Sequence, residues 1–572
     1  MLTKIYAVVL FLLCTTAIAF AQGGTLKGKV IDEANGEAIS FANIQLEQSG
    51  NSVARTVADI DGNYTLKPIP PGKYDLKAVM VGYQTIMIQG IVIGGDKTSY
   101  QDLNMKSSSV EMDEVTIVEY LEPLIDPDTK SGGTVTREEF NAMPSKNINS
   151  VASTTAGVFQ RDENSSVSVR GGRPKESEMS LDQSSTKYFI DGEKVRGTAG
   201  LPQGAIEQVS VITGGVPAQY GDLTGGAISI TTRGGVRPKY YGGLELISSQ
   251  FTDAYGYNFA GANVGGPIIS KKDSSGNREG KVGFFLSGEV SSEKDPNPSS
   301  VGMYKVNDDK LRELKETPLF LSESGKLLTK AEFLRAEDWE HIKARQNVAQ
   351  NIARLNGKID VKIAKGLTFT VGGSLDYGKY HELVFDYALL NSDNNPEVIY
   401  NTTRMYARIT HSLGKTKTEG DQSTSLFKNA FYTLQFGYTK YTETKQDDSH
   451  KSNLFNYGYV GRFKTYKEQK FKLITDSLGG GHYISSTGNY DTLVTFDPSV
   501  SANPEASNYT NQYYDLFPGN PEKLTDISSG LGLLNGGRPY SPYNLWNNTG
   551  RQFNQYYNQE QNQKRLTGMF ST

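Results

Sequence analysis

Thr213-Gly214-Gly215-Val216-Pro217-Ala218-Gln219-Tyr220-Gly221-Asp222-Leu223-Thr224-Gly225-Gly226-Ala227-Ile228-Ser229-Ile230-Thr231-Thr232 reads as a glycine-punctuated link between two short strands. Ile206-Glu207-Gln208-Val209-Ser210-Val211 leads into it, and Ala227 to Thr232 leads out. The same grammar recurs upstream. Gly171-Gly172 follow Val167-Ser168-Val169-Arg170, and Gly192 follows Tyr188-Phe189-Ile190-Asp191. Glycine at a strand end permits a tight turn and close approach of backbones, which is its ordinary role, so none of these glycines is read as a ligand contact. Further upstream, Thr136 stands three residues before Glu139 in Thr136-Arg137-Glu138-Glu139-Phe140, the spacing of a capped helix start. Pro144 interrupts, and Ile148 to Thr155 resumes a helical pattern.

In this order, the runs resemble the plug domain of TonB-dependent receptors over residues 130–235. The resemblance assigns Arg170, Gly171, Asp191, Gly192, Gly214, Gly215, Tyr220, Gly221, Gly225 and Gly226 to the plug motif. It implies a small α+β domain seated in a polar barrel, tight enough to seal and wet enough to be remodelled. Charged residues such as Arg137, Glu138, Arg161, Asp162, Arg173 and Glu176 suit that setting. Gln219 to Gly226 is more similar to the Oar-like branch of the family than to the SusC-type glycan importers, which weakens a carbohydrate assignment.

Ahead of the plug, residues 24–106 form many short β-prone runs separated by turn residues, the pattern of a small β-sandwich. Gly28-Lys29-Val30, Asp61-Gly62-Asn63-Tyr64, Pro71-Gly72-Lys73-Tyr74 and Gly82-Tyr83 resemble the carboxypeptidase-regulatory-like domain. Asp59 and Asp61 lack the remaining ligands of a calcium loop and read as an Asp-Gly turn, so no metal site is assigned. Between the sandwich and the plug, at 112–119, lies Glu114-Val115-Thr116-Ile117-Val118-Glu119. Its plain reading is a last strand or a linker. The family resemblance makes Glu114, Val115, Thr116, Ile117 and Val118 a TonB box, an extended segment that pairs as a strand with the periplasmic energy coupler TonB.

From 236 to 572 the pattern turns to paired strands. Ile359, Val361 and Ile363 alternate with Lys358, Asp360 and Lys362. Beyond a turn at Ala364-Lys365-Gly366, Leu367, Phe369, Val371, Leu375 and Tyr377 share one face, while Thr368, Thr370, Ser374 and Asp376 share the other. A sandwich has the same period, so alternation alone does not decide. Asn429 to Tyr441 alternates for longer than a globular strand needs, and the short turn contrasts with long stretches at 291–350 and 463–564. That asymmetry points to a transmembrane antiparallel β-barrel with long loops on one side. Val282-Phe284-Leu286 and Met405-Ala407-Ile409 mark two further strands. Phe333, Leu334, Ile342 and Ile352 predict a helical insert over 330–355. The second loop is rich in Asn, Gly and Tyr, including Tyr509, Tyr513, Tyr514, Tyr540, Tyr543, Trp546, Tyr556 and Tyr557, and reads as a surface loop whose aromatic faces could also stack on sugars or peptides. Plugged transporters have about 22 strands and about eight can be placed here, so a partial barrel, from a fragment or a split product, is expected.

The compartment follows from the start of the chain. Lys4, a largely apolar run from Ile5 to Ala17 and Ala19-Phe20-Ala21 make residues 1–21 a secretory signal peptide. Leu12-Leu13 before Cys14 does not fit a lipoprotein site. Cys14 is the single cysteine, so stability must come from sheet pairing and burial rather than disulfides. The mature chain has no apolar run of about 18 residues. The mean hydropathy of the whole chain, −0.47, would suit a soluble protein, but barrels escape hydropathy because their faces alternate. Gly 60, Tyr 33 and Phe 24 against Trp 2 fit a barrel with aromatic girdles as well as an extracellular adhesin. A net charge of −4 gives no reason to invoke nucleic acid.

The fold expected is therefore mainly β: an N-terminal β-sandwich, a small α+β plug domain, then a partial transmembrane antiparallel β-barrel in the outer membrane. The function expected is solute import, with TonB, outer-membrane lipid and an unknown solute as partners and room for a surface lipoprotein. The rival is a structural or adhesive outer-membrane protein that keeps the plug fold without transport. An enzyme is not expected. His341, His381, His411, His450 and His482 are scattered, without H-x-x-E or H-E-x-x-H spacing, no phosphate-binding loop is present, and no cofactor or catalytic residue is assigned.

Overall fold

The computed structural model describes residues 23–571 except 49–50, 96, 108–114, 120–130, 145–146, 163–164, 173–185, 196–199, 217–219, 221–222, 235–238, 273–277, 326, 365, 413–430, 477, 499–501 and 517–557. The expected signal peptide, Glu114, Gly221 and the aromatics from Tyr540 to Tyr557 lie outside the described residues.

The first body contains β1 (Gly24–Asp32), β2 (Asn43–Gln48), β3 (Asn51–Val57), β4 (Asn63–Ile69), β5 (Gly72–Val79), β6 (Thr85–Ile93), β7 (Thr98–Tyr100), β8 (Leu103–Met105) and β9 (Val115–Glu119). β1 pairs with β4, β7 and β8 in one layer, and the other layer runs β3-β2-β5-β6-β9. Their inner faces bury Leu26, Val30, Ile44, Leu46, Leu66, Leu76 and Ile91 in one core. β6 keeps its apolar residues inward through a change of parity. Ile86 and Ile88 precede a bulge at Gly90, whose φ of 85° suits glycine, and Ile91 and Ile93 follow it. Asp59 Oδ1 accepts hydrogen bonds from the Asp61 and Asn63 amides at 3.0 and 2.8 Å, so this carboxylate shapes its own turn.

The second body comprises β10 (Ser131–Thr136), α1 (Arg137–Ala142), α2 (Ile148–Ala152), β11 (Val158–Gln160), β12 (Val167–Val169), β13 (Lys187–Ile190), β14 (Glu193–Val195), β15 (Ile206–Gly214) and β16 (Ala227–Thr232). The Thr136 hydroxyl accepts from the Glu139 amide and the Glu139 carboxylate accepts from the Thr136 amide, completing the predicted capping box. The sheet runs β10-β15-β16-β13-β14. Val209, Val211, Ile228 and Ile230 pack with Phe140 and Val151 from the helices.

The third body is a sheet of eight long strands with helices and hairpins carried between them. In chain order these are β17 (Tyr241–Ser248), β18 (Asn258–Lys272), β19 (Arg278–Glu293), β20 (Met303–Val306), α3 (Asp308–Glu316), β21 (Leu319–Leu321), β22 (Leu327–Thr329), β23 (Trp339–Ile342), β24 (Gln350–Ala364), β25 (Leu367–His381), β26 (Glu397–Ser412), β27 (Phe431–Gln446), β28 (Gly461–Thr475), β29 (His482–Pro498), α4 (Pro504–Leu516) and β30 (Asn558–Ser571). The wall is ordered β17-β18-β19-β24-β25-β26-β27-β30, and it is not closed: among the described residues no strand covers the outer edge of β17 or β30. β24 and β26 have 15 and 16 residues, more than the 9–11 that cross a bilayer with tilt.

Burial in this wall is inverted relative to a water-soluble sheet. Cross-strand rows such as Phe284–Ile359–Val371–Ala407–Phe436 and Val282–Val361–Phe369–Ile409–Leu434–Phe570 follow the register. Ile359, Val371 and Phe436 on these rows are exposed. The alternate residues Ser287, Asn356, Asp360, Thr370, Arg404 and Gln435 are buried, because the plug lies against that polar face. A sheet that shows its apolar side and covers its polar side is built for a hydrocarbon solvent. Val371→Lys should therefore cost about 2–4 kcal/mol of stability in lipid. Refolding into vesicles followed by denaturant unfolding measures it, and an unchanged midpoint would sink the lipid-facing assignment of this row.

Two expectations about the long connections are corrected. Residues 330–355 hold no α-helix: Lys330–Phe333 and Ala336–Asp338 are single 3-10 turns, β23 follows, and Ile352 belongs to β24. The apolar spacing came from residues facing different neighbours, Leu334 the connection's own core and Ile352 the wall opposite Ser291. The helix of this connection is α3, where Asn307 accepts from the Lys310 amide. The second long stretch is not only loop either, since it carries the β28–β29 hairpin and α4, which places Tyr509, Tyr513 and Tyr514 on a helix.

These connections fold against each other at one rim. Leu314, Leu319, Leu390, Val460 and Tyr509 share a core, and Lys315 Nζ lies 2.8 Å from a Glu505 carboxylate oxygen. Asn508 Nδ2 donates to the Lys315 and Glu316 carbonyls at 2.9 and 3.0 Å. Asp295 and Arg345 anchor the base at 2.6 Å. Burial of Asp295 opposes ionisation, but the bonds from Arg345 outweigh it and hold the carboxyl below the usual carboxylate range.

Candidate functional site: the plug–wall seam and the coupling strand

The described structure brings charged groups together where the β13–β14 hairpin of the plug meets the wall. Asp191 and Gly192 form its turn, with φ of 46° and 86°, a left-handed pair suited to an Asp-Gly hairpin. The turn drives Asp191 into the interface, where it is 2% exposed. Its Oδ1 accepts from the Thr232 amide at 3.0 Å, and its Oδ2 accepts from the Thr232 hydroxyl at 2.5 Å and from the Tyr406 hydroxyl at 3.0 Å. Arg408 donates to the Asp191 carbonyl, and Lys358 Nζ reaches Thr232 Oγ1 at 3.4 Å. One plug carboxylate thus faces two wall cations, Lys358 on β24 and Arg408 on β26.

A second acid continues the pattern. Glu193, 5% exposed, accepts from Thr439 and Thr567 at 3.4 and 3.5 Å, and Arg565 donates to the Lys194 carbonyl at 3.1 Å. The wall makes room with glycine. A Cβ at Gly437 would stand 2.7 Å from the Glu193 carboxylate, and one at Gly372 would stand 2.8 Å from the Tyr406 ring. Higher on the wall, Arg354 bridges Glu289 at 2.9 Å and Asp376 at 3.0 Å, while Glu289 accepts from the plug's Gln203 amide at 2.8 Å. Arg233 closes the far side, its guanidinium 4.3 Å over the Tyr241 ring and its Nη1 donating to Asn263 at 3.1 Å. A seam of hydrogen-bonded charges holds position by geometry, and it can be rewetted without exposing apolar surface.

The other plug-motif residues do not gather at this seam. Arg170, φ 49°, and Gly171 make a turn from which Arg170 Nη2 donates to Ser131 Oγ at 2.6 Å. Gly214 lies beneath it, since a Cβ there would come within 2.5 Å of the guanidinium. Gly215 turns the chain at φ 60°, and Gly226 packs against the Val169 side chain at 2.5 Å from its ideal Cβ. Tyr220 is buried edge-on to Phe189, with ring centroids 4.7 Å apart. Gly225 lies in the bend before β16. These residues shape the plug itself, whereas Asp191 and Gly192 dock it.

The coupling candidate sits elsewhere. Residues 115–119 are β9, paired in parallel with β6 in the register Thr85↔Val115, Met87↔Ile117 and Gln89↔Glu119. The structure thus shows this run as a last strand of the N-terminal sheet.

Sequence reasoning missed Glu193, Thr232, Gln203 and Arg233 on the plug, and Glu289, Arg354, Arg404, Tyr406 and Arg408 on the wall. Parity along the strands could have marked the wall residues as inward-facing. No local signal could pair Asp191 with Tyr406, which lies 215 residues away.

Residues 26–117 match the family model of the CarboxypepD_reg-like domain, and residues 128–228 match that of the TonB-dependent Receptor Plug Domain. The chain is 25% identical over 291 residues to the TonB-dependent transporter Oar of Myxococcus xanthus, covering 44% of this chain and 26% of that protein. It is 29% identical over 157 residues to the probable TonB-dependent siderophore receptor PirA of Acinetobacter baumannii, covering 24% of this chain and 20% of that protein. The FrpB iron transporter from Neisseria meningitidis is a solved structure that aligns at 13% identity and a TM-score of 0.35, over 59% of this chain and 45% of that one. The matched stretches thus span about a quarter or less of the curated relatives.

Proposed function

We propose that this chain, which carries the plug and the N-terminal domain of a TonB-dependent receptor, imports a solute across the outer membrane using force delivered by TonB. The observation that carries the reading is the charged seam centred on Asp191, between a plug-type domain and the polar face of an inside-out wall. Such a junction seals at rest and can rearrange under load. In this reading the solute binds the rim formed by the long connections and the plug face below it. Residues 114–118 then pair with TonB, and tension reaches the seam through the start of the plug. The relatives' names point to transport, and one names a siderophore, so ferric siderophores are the first solutes to try. Outer-membrane lipid solvates the wall, and a surface lipoprotein at the rim fits the same scheme.

A structural or adhesive role explains the rim but gives no use for a coupling strand or a polar seam. The test is accumulation of labelled ferric siderophores, oligosaccharides and peptides by cells expressing the receptor, with and without the TonB gene. Receptor-dependent accumulation should vanish without TonB. Accumulation that persists, or a receptor that fails to bind TonB in pull-down, favours the structural role.

A further inference from the structure

We propose that the N-terminal domain presents the coupling strand, holding residues 115–119 as the outermost strand of its own sheet and offering the free edge to an extended segment of TonB. The proposal rests on the reading of 114–118 as the coupling segment and adds how that segment is displayed.

β9 ends the order β3-β2-β5-β6-β9, and among the described residues no strand pairs with its outer edge. Its inner edge is matched to β6 at every described residue, from Thr85↔Val115 to Gln89↔Glu119. An edge strand of this kind carries a row of unused N–H and C=O groups, a ready template for a further strand. Two modes of engagement are open to a partner. Exchange would trade the β6–β9 ladder for a partner–β9 ladder, with little net gain in pairing. Addition keeps the first ladder and gains the second. It also binds a segment that folding has already ordered, so association does not bear the entropy of straightening it. Addition is the stronger mode. In the sequence the run is flanked and ended by acids, Glu111, Asp113, Glu114, Glu119 and Glu122, which favours a partner segment rich in lysine or arginine and a salt-sensitive affinity.

The experiment uses the whole receptor in detergent with Met87→Cys and Ile117→Cys, paired positions in the register, in a Cys14→Ser background that removes the only other cysteine. The probe is the purified periplasmic domain of TonB. The disulfide should form, and the oxidised receptor should bind the probe within about twofold of the reduced one. Amides of 85–89 should stay protected from hydrogen exchange in the complex. A loss of about tenfold or more on oxidation, or deprotection of 85–89 on binding, would mean exchange and overturn the proposal. Failure of the disulfide to form would show that β9 does not lie on β6 and would overturn it as well. An Ile117→Pro receptor is the separate control: undiminished binding there removes the coupling-segment reading itself, whatever the cross-link shows.

Discussion

TonB-driven uptake is expected to cease in an Ile117→Pro receptor that still reaches the outer membrane in normal amount. Ile117 is the middle residue of β9, with two paired residues on either side. Proline removes its N–H and fixes φ near −65°, which a strand interior does not tolerate. The ladder is then cut into pieces too short to hold a partner under load. If each pairing bond contributes about 0.5–1.5 kcal/mol net, a five-residue strand has no reserve to absorb the break. The body of the plug and the wall lie elsewhere in the chain, so assembly should be spared. The measurement pairs accumulation of labelled solute with immunodetection of the receptor in outer-membrane fractions. Ile117→Val, which keeps the N–H and the strand propensity, should transport normally. Normal uptake in the proline variant would remove residues 114–118 from the mechanism.

The second large effect is expected at the seam. Asp191→Ala removes a carboxylate that accepts from Thr232 and Tyr406 and faces Lys358 and Arg408. Deleting one partner of a buried ionic cluster costs about 3–5 kcal/mol, because the remaining charges stay buried and uncompensated. The plug should seat loosely. Two readouts follow: a lower unfolding midpoint for the purified receptor, and cells newly sensitive to vancomycin, a solute too large for the intact outer membrane. Adding Lys358→Met should restore part of the lost stability, since it removes one of the stranded charges. Simple addition of the two single costs would show that Asp191 and Lys358 do not act as a pair. An Asp191→Ala receptor with wild-type midpoint and permeability would show that the plug is held by other contacts.

Much of the architecture is legible in the sequence, for a physical reason. Alternation along β24 and β25 sorted Ile359, Val371 and Tyr377 from Lys358, Asp360 and Thr370, and the wall uses that sorting with the apolar set outward. The capping box at Thr136 and Glu139 was equally local and formed as read. Local signals failed where faces are set by distant neighbours. The apolar residues of 330–355 mimic a helix because Leu334 and Ile352 satisfy two different partners, one in the rim and one in the wall. The seam was invisible for the same cause. The resemblance placed Asp191 in the plug motif, but its docking to the wall depends on Tyr406 and Arg408, which the chain reaches more than two hundred residues later. β9 was legible as a β-prone run, while its parallel match to β6 depends on a crossover that no periodicity records.

The shared core of the rim limits how this chain can vary. Leu314, Leu390, Val460 and Tyr509 come from three separate connections but pack as one cluster. A change in any of them must be answered by the others, so no one connection can be reshaped alone. The far turn of the β28–β29 hairpin, with Leu478 97% exposed, stands clear of that constraint. Strain-to-strain diversity should therefore collect there, while the packed helices drift slowly and together.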